Sequence, residues 1–270
     1  MHEDKLVSQL SAQSVTTPAV GSGCWSVDVA KSQSITLERD ARADMVLIGS
    51  ASAEGSVVEL TLEPYSHLNI VELIDTAGSN SQLRLFIHEG AECTMTQVVT
   101  ASANCRVEAM LDGRFARFEL GGAFMLSGEE RGTIQVDVKH NVSDCSSRTT
   151  YKGVASESAL GKFSGLVYVA PDAQRTDSEQ LSRNITLGTA RIETLPQLEI
   201  YADDVKCSHG ATVGQMDDEA VLYMRQRGLS LATAKRLQIE GFVSDVVLHS
   251  SIDNSREAFI EALESKLEKL

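Results

Sequence analysis

Alternating hydrophobicity, turn chemistry and a sharp change of period predict a mainly β protein: a parallel β-helix with a small C-terminal α-helical domain. Between about Gly23 and Gly214, short runs alternate apolar and polar residues, the period-two pattern of a half-buried strand. Turn-forming segments separate the runs, and Asn, Ser and Thr recur inside them, where ladders of stacked coils tolerate polar side chains. The runs are too numerous for one sandwich, which favours a solenoid, although no strict repeat period shows. After Gly214 the pattern turns helical. The expected division is an N-terminal arm (1–22), a β-helix core (23–214) and a helical domain (215–270).

Taken in order, the polar and weakly periodic start predicts a short helix or frayed arm. The strand runs are MVLIG (Met45–Gly49), VVELTL (Val57–Leu62), LNIVELI (Leu68–Ile74), LRLFIH (Leu83–His88) and CTMTQVV (Cys93–Val99). RVEAML (Arg106–Leu111), RFARFEL (Arg114–Leu120), TIQVDVKH (Thr133–His140) and FSGLVYV (Phe163–Val169) follow. The segments AEG, TAGSN, HEGAE, LDGR, LGG and SGEERG supply the expected turns between them. Beyond Gly214, Asp217 and Asp218 mark a helix start and Gly228 its stop. Ser230 can cap a second helix with Ile239, Phe242, Val243 and Val246 as its apolar stripe. Asp253 or Ser255 can cap a third, with Phe259, Ile260, Leu263, Leu267 and Leu270 on one face. Three such helices make little core alone and must pack on the β body, on a partner, or on both.

At 270 residues the chain can bury a sizeable core. Its formal net charge of -14 argues against nucleic acid and against an anionic membrane surface. No apolar run is long enough to span a bilayer, and MHEDKLVSQL does not read as a signal peptide, so the expected compartment is the cytoplasm. Five widely spaced cysteines (Cys24, Cys93, Cys105, Cys145, Cys207) without a C-x-x-C pair predict neither a disulfide framework nor a zinc finger.

The stretch PQLEIYADDVKCSHGATVG (Pro196–Gly214) carries the chemistry. Two residues apart on a strand, Cys207 and His209 leave the same face. Thiolate and imidazole together can hold iron, zinc, copper or an iron–sulfur cluster. Two ligands do not close a site, so any metal must draw others from elsewhere in the fold, from a second chain or from substrate. A small buried Cys beside a satisfied His is the alternative.

The block LPQLEIYADDVKCSHGATVGQMDDEAVLYMRQRGLS closely resembles the SufB/SufD family of iron–sulfur cluster assembly proteins, particularly its SufD side. His140, SSRTTYKGV (Ser146–Val154), FSGLVYVAPDAQRTDSEQ (Phe163–Gln180) and SRNITLGTARIETLPQLEI (Ser182–Ile200) agree with it. The resemblance implies a right-handed β-helix and a helical C-terminal domain. It also implies pairing with a SufB-type chain or with itself, and docking of a SufC-type ABC ATPase on the helices. A transient cluster would form at the interface between paired chains, with Cys207 and His209 the matching positions, His209 the better bet. His140 and Lys152 match recurrent positions for which structural service is expected. SufB-type members carry Glu where Gly210 stands and Cys where Ser182 stands, and the helical N-terminal region of longer members is not evident, so a compact SufD-like partner is expected. No G-x-x-x-x-G-K-[ST] loop occurs, which leaves ATP hydrolysis to a partner.

The expected function is thus a non-enzymatic scaffold, with a purely structural SufD-like subunit as the alternative. A β-helix carbohydrate-active enzyme using Asp203 and Asp204 is a further reading. Adjacent carboxylates on a strand point to opposite faces and make a poor acid–base pair.

Overall fold

The computed structural model describes residues 2–17, 19–49 and 55–268. Helix α1 (His2–Leu10) is followed by strands β1 (Gln13–Ser14), β2 (Ala19–Val20), β3 (Gly23–Asp28), β4 (Gln33–Leu37), β5 (Arg42–Ile48) and β6 (Val58–Leu62). Next come β7 (His67–Ile74), β8 (Ser79–Ile87), β9 (Glu92–Val99), β10 (Ala103–Leu111), β11 (Arg117–Leu126) and β12 (Arg131–His140). The β body ends with β13 (Ser146–Ala155), β14 (Leu160–Val169), β15 (Thr176–Thr186), β16 (Arg191–Ile200) and β17 (Val205–Gly214). Helices α2 (Asp218–Gln226), α3 (Leu231–Leu248) and α4 (Arg256–Leu267) close the chain. Ala53 and Glu54 of the expected AEG turn, and Leu270, lie outside the described residues.

Odd-numbered strands form a 9-stranded sheet and even-numbered strands an 8-stranded one, all pairs parallel. Each coil therefore gives one strand to each sheet, a flattened parallel β-solenoid. The register reveals the repeat that the sequence hides. Arg42, His67, Glu92 and Arg117 stack 25 residues apart, then Ser146, Asp177 and Lys206 at 29, 31 and 29. One corner repeats with it: Asp40, Tyr65, Gly90, Phe115, Asp144 and Arg175 all have φ between 58° and 66°. This left-handed conformation aims the amide along the solenoid axis. Asp40 N–H donates to Pro64 O, Tyr65 to Glu89 O, Gly90 to Arg114 O, Asp144 to Gln174 O and Arg175 to Asp204 O. Small buried residues, Ala41, Ser66, Ala91 and Ala116, follow the corner and turn into the next strand.

Inward positions of both sheets fill one continuous core, Ile35, Leu60, Leu85, Val107, Phe118, Val136 and Phe163 among them. The expected LGG turn is instead the middle of β11. Gly122 is flat there because the Tyr151 ring lies over it: a Cβ would stand 2.2 Å from Tyr151 Cζ. Polar side chains also enter this lumen. Tyr151 O–H donates to the Gln97 amide oxygen, and Gln97 Nε2 and Ser81 O–H donate to the Glu72 carboxylate, all four buried. His140 is fully buried, with Nε2 2.9 Å from Ser147 Oγ, and desolvation lowers its pKa to about 4.

The outer faces of the two sheets differ. On the 8-stranded sheet, Glu59, Arg84 and Glu108 stack in register and pair, with Arg106 bridging Glu108 and Asp137. The outer face of the 9-stranded sheet is apolar over part of its area, and that part carries the helices: Val46, Val71, Leu73, Val98, Met125 and Val154 pack against Leu6 of α1, Ile239, Val243 and Val247 of α3, and Phe259 and Leu263 of α4. Asp217 and Ser230 cap α2 and α3 through side-chain hydrogen bonds, and Gly228 has φ 94°. The last helix departs from expectation. Neither Asp253 nor Ser255 caps it by side chain; both sit in a 3₁₀ turn, where the Ser255 hydroxyl donates to Ile252 O. Ile260 is 40% exposed, because α4 meets the sheet over a narrower stripe than its apolar residues allow.

Two stability predictions follow from the lumen. Gly122→Ala must displace Tyr151 and should cost about 1–3 kcal/mol, the usual penalty of overpacking. Gly121→Ala meets only Val246 Cγ1 at 3.7 Å and should be near neutral; equal melting temperatures for the two variants would refute this account. His140 titrates near 6.5 in the unfolded chain and near 4 in the folded one. Its contribution is therefore complete above pH 6.5 and is lost as pH falls toward 4, roughly 3 kcal/mol in full. Denaturant midpoints across that window should fall more steeply for the parent than for His140→Gln.

Candidate functional site

The solenoid ends in an open coil. β17 is the last strand of the 9-stranded sheet and β16 the last of the 8-stranded one, so each offers an unpaired backbone edge. Pro196 sits in the middle of β16, a position an edge strand tolerates because no N–H is needed there. Leu195, Ile200, Tyr201 and Val213 leave this end exposed and apolar.

Cys207 and His209 lie on β17 in register with Ser178 and Gln180 of β15, both buried and inward-facing. The pair therefore shares one side, toward the lumen of the terminal coil. Cys207 is half-buried and packs against a small cluster of Val167, Val169, Ala173 and Ala202. Burial raises its thiol pKa, as does the Asp177 carboxylate, against a lowering backbone hydrogen bond from Ser178. His209 is exposed. The thiol is thus a protonated group that a metal must deprotonate, while the imidazole is open to solvent. Among the described residues, no group of three or more His, Cys, Asp or Glu is placed to hold a metal ion. The described residues bring these two potential donors together there and no third.

Other residues singled out by the sequence fall elsewhere. His140 lies in the lumen, two serines away from β17: Ser147 Oγ, its partner, is 2.8 Å from Ser178 Oγ. Lys152 projects outward from β13, where its ammonium pairs with Asp245 of α3 and lies 5.1 Å from the Phe242 ring centre. It ties the helices to the sheet. The Lys152 ammonium, ahead of other charges, holds the Asp245 carboxyl below its usual range. Asp203 and Asp204 stand exposed at the corner between β16 and β17, and Asp204 backbone groups bond to Arg175 N–H and the Gln174 side chain. Ser182 and Gly210 lie near the pair: Ser182 faces the lumen fully buried, whereas Gly210 faces outward beside Leu181.

One feature escaped the sequence reading. The inward positions of β15 are all polar, Thr176, Ser178, Gln180, Ser182 and Asn184, and all buried. The only signal was small polar residues at period two in TDSEQLSRN, which alternation arguments assign to a solvent face.

Comparison with known proteins agrees with this architecture. A family described as "SUF system FeS cluster assembly, SufBD core domain" matches residues 25–242. The Iron-sulfur cluster assembly protein SufD of Escherichia coli is 44% identical over 110 residues, 40% of this chain and 26% of that protein. SufD of Bacillus subtilis is 34% identical over 116 residues, 43% of this chain and 26% of its own length. A SufBD family protein of Mycobacterium leprae is 28% identical over 230 residues, covering 78% of this chain and 57% of its own. The matched segments thus span from about a quarter to somewhat over half of these relatives. With a two-sheeted solenoid, an open terminal coil bearing Cys207 and His209, and a family match across most of its length, the chain belongs to the SufB/SufD family of iron–sulfur cluster assembly proteins and stands on its SufD side.

Proposed function

We propose that this chain is a scaffold subunit of a SUF-type assembly complex, in which Cys207 and His209 help hold iron or a nascent cluster as cargo at a junction between two chains. The observation that carries the reading is the incomplete donor pair at the open end of the solenoid. The missing ligands come from a second chain, a SufB-type partner or another copy, seated on the β16–β17 end. The unpaired edges and the apolar Leu195, Ile200, Tyr201 and Val213 support that placement. The chain itself does no catalysis and binds no ATP. An ABC-type ATPase of the SufC kind docks on the helices, where Leu222 (54%), Tyr223 (57%) and Leu231 (46%) are exposed near one another in sequence. Membrane insertion is not part of this reading; no helix among the described residues is long and apolar enough to cross a bilayer.

A purely structural subunit is the second reading, favoured by the packing of Cys207 in a small apolar cluster and its raised pKa. Loading the assembled complex with iron and sulfide under anaerobic conditions separates the two by absorbance. His209→Ala should reduce cluster yield severalfold with an unchanged melting temperature, since the exposed ring bears no load in the fold. Cys207→Ser should reduce it less if the thiol is only a core residue. Normal loading in both variants would leave the structural reading standing. For the ATPase, Leu222→Glu, Tyr223→Glu and Leu231→Glu should each weaken its capture by at least about tenfold, as loss of an interface anchor does. Unchanged capture across the three would place its docking surface elsewhere.

A further inference from the structure

Resting on the reading that His209 belongs to the cargo site, we propose that Gln180 is the positioning residue of its floor. Its buried amide holds a small protic ligand of the iron, water or hydrosulfide.

Gln180 is 0% exposed, yet neither its Nε2 nor its Oε1 has a hydrogen-bond partner. A buried amide with both ends unpaired is costly and calls for a partner outside the chain. A glycine on the facing strand leaves room for the amide itself. The amide reaches across the lumen to Gly165 of β14, where a Cβ would stand 2.2 Å from Nε2. A glycine inside a central strand weakens that strand, and here it leaves the space that the amide occupies. In the coil above, Gln180 stacks under His209, and Gly165 stacks under Pro196, which has no N–H to offer. The amide thus lies beneath the open coil between the imidazole strand and a residue whose backbone can accept a hydrogen bond but not donate one.

The contrast within one lumen strengthens the case. In the earlier coils Glu72, Ser81, Gln97 and Tyr151 satisfy one another. In β15 and β16, Asn184 Oδ1 and Thr194 Oγ1 are unpartnered together with Gln180. His140 Nδ1 in an earlier coil is unpartnered as well, but more of these atoms gather where the solenoid opens. An amide offers both a donor and an acceptor, which suits a ligand that both accepts and donates: metal-bound water or hydrosulfide, in preference to a bare cation. Holding that ligand fixes the direction of the iron relative to His209, the service that outer hydrogen bonds render at metal sites.

The test uses Gln180→Met, which keeps length and removes both amide atoms. The full chain, in the assembly in which it is isolated, is loaded anaerobically with ferrous iron alone and with ferrous iron plus sulfide, then challenged with a chelator. The expected result is an unchanged or higher melting temperature of the unloaded protein, with release at least about tenfold faster, the scale of outer-shell effects. Faster release in both arms assigns water as the held ligand; faster release only with sulfide assigns hydrosulfide. Gly165→Ala, which crowds the same amide from the opposite sheet, should speed release as well. A lower melting temperature or failure to fold in Gln180→Met would overturn the proposal, because the amide would then be satisfied within the chain. Release at the parental rate would overturn it too. His209→Ala is run beside them: parental retention there removes the cargo site itself. Loss there with retention in Gln180→Met removes only the role of Gln180.

Discussion

The structure depends on keeping backbone hydrogen bonds directed along the solenoid axis, through the corners as well as the strands. Strands do this by parallel pairing, but a corner reverses the chain and would otherwise break the ladder. The column Asp40, Tyr65, Gly90, Phe115, Asp144 and Arg175 meets the requirement by adopting positive φ. For residues other than Gly that conformation costs on the order of 1–2 kcal/mol each, and the axial bonds from Asp40, Tyr65, Asp144 and Arg175 offset it. Where coils lengthen, the corner gains side-chain support. Asp144 is held between Arg175 and Arg114, which keep its carboxyl well below the usual range.

A stack of this kind has two ends and two faces, and the chain treats each differently. The helices cover the apolar part of the outer face of the 9-stranded sheet, with α1 returning to pair Lys5 with Glu261 of α4. The other sheet faces solvent through a ladder of alternating charges, whose exposed pairs add little stability but deny the face to apolar partners. At the C-terminal end both sheets stop on ten-residue strands with unpaired edges, and it is there that Cys207 and His209 stand; at the N-terminal end they stop on the two-residue strands β1 and β2. Position and chemistry coincide: the place where the repeat stops is the place where another chain can continue it.

The same end shows a trade between stability and service. Earlier coils bury Phe118, Phe124 and Phe163 or closed hydrogen-bond networks, whereas β15 lines its lumen with short polar side chains and an unpaired amide. Apolar residues would make a more stable terminal coil. Retaining polar ones beneath Cys207 and His209 is what the cargo site proposed above would require.

Much of this was legible in the residues themselves. Period-two runs locate strands wherever one face is buried, and the shared face of Cys207 and His209 follows from strand geometry alone. Asp217, Ser230 and Gly228 mark helix ends because capping is local chemistry. What tertiary structure decided is whatever depends on a neighbour in the next coil. The 25-residue repeat was hidden because its corner accepts Asp, Tyr, Gly, Phe and Arg alike at one backbone angle, and the axial hydrogen bond, made at each of these corners except Phe115, selects no side chain. Gly121–Gly122 read as a turn because nothing local shows that Tyr151, a coil away, occupies the space a Cβ would fill. Ile260 read as core because its helix is amphipathic beyond the stripe the sheet covers. The place of Gln180 was not legible, since alternation tells which residues share a face and not which face is inside; only the closure of two sheets around a lumen decides that the polar face of β15 is the inner one.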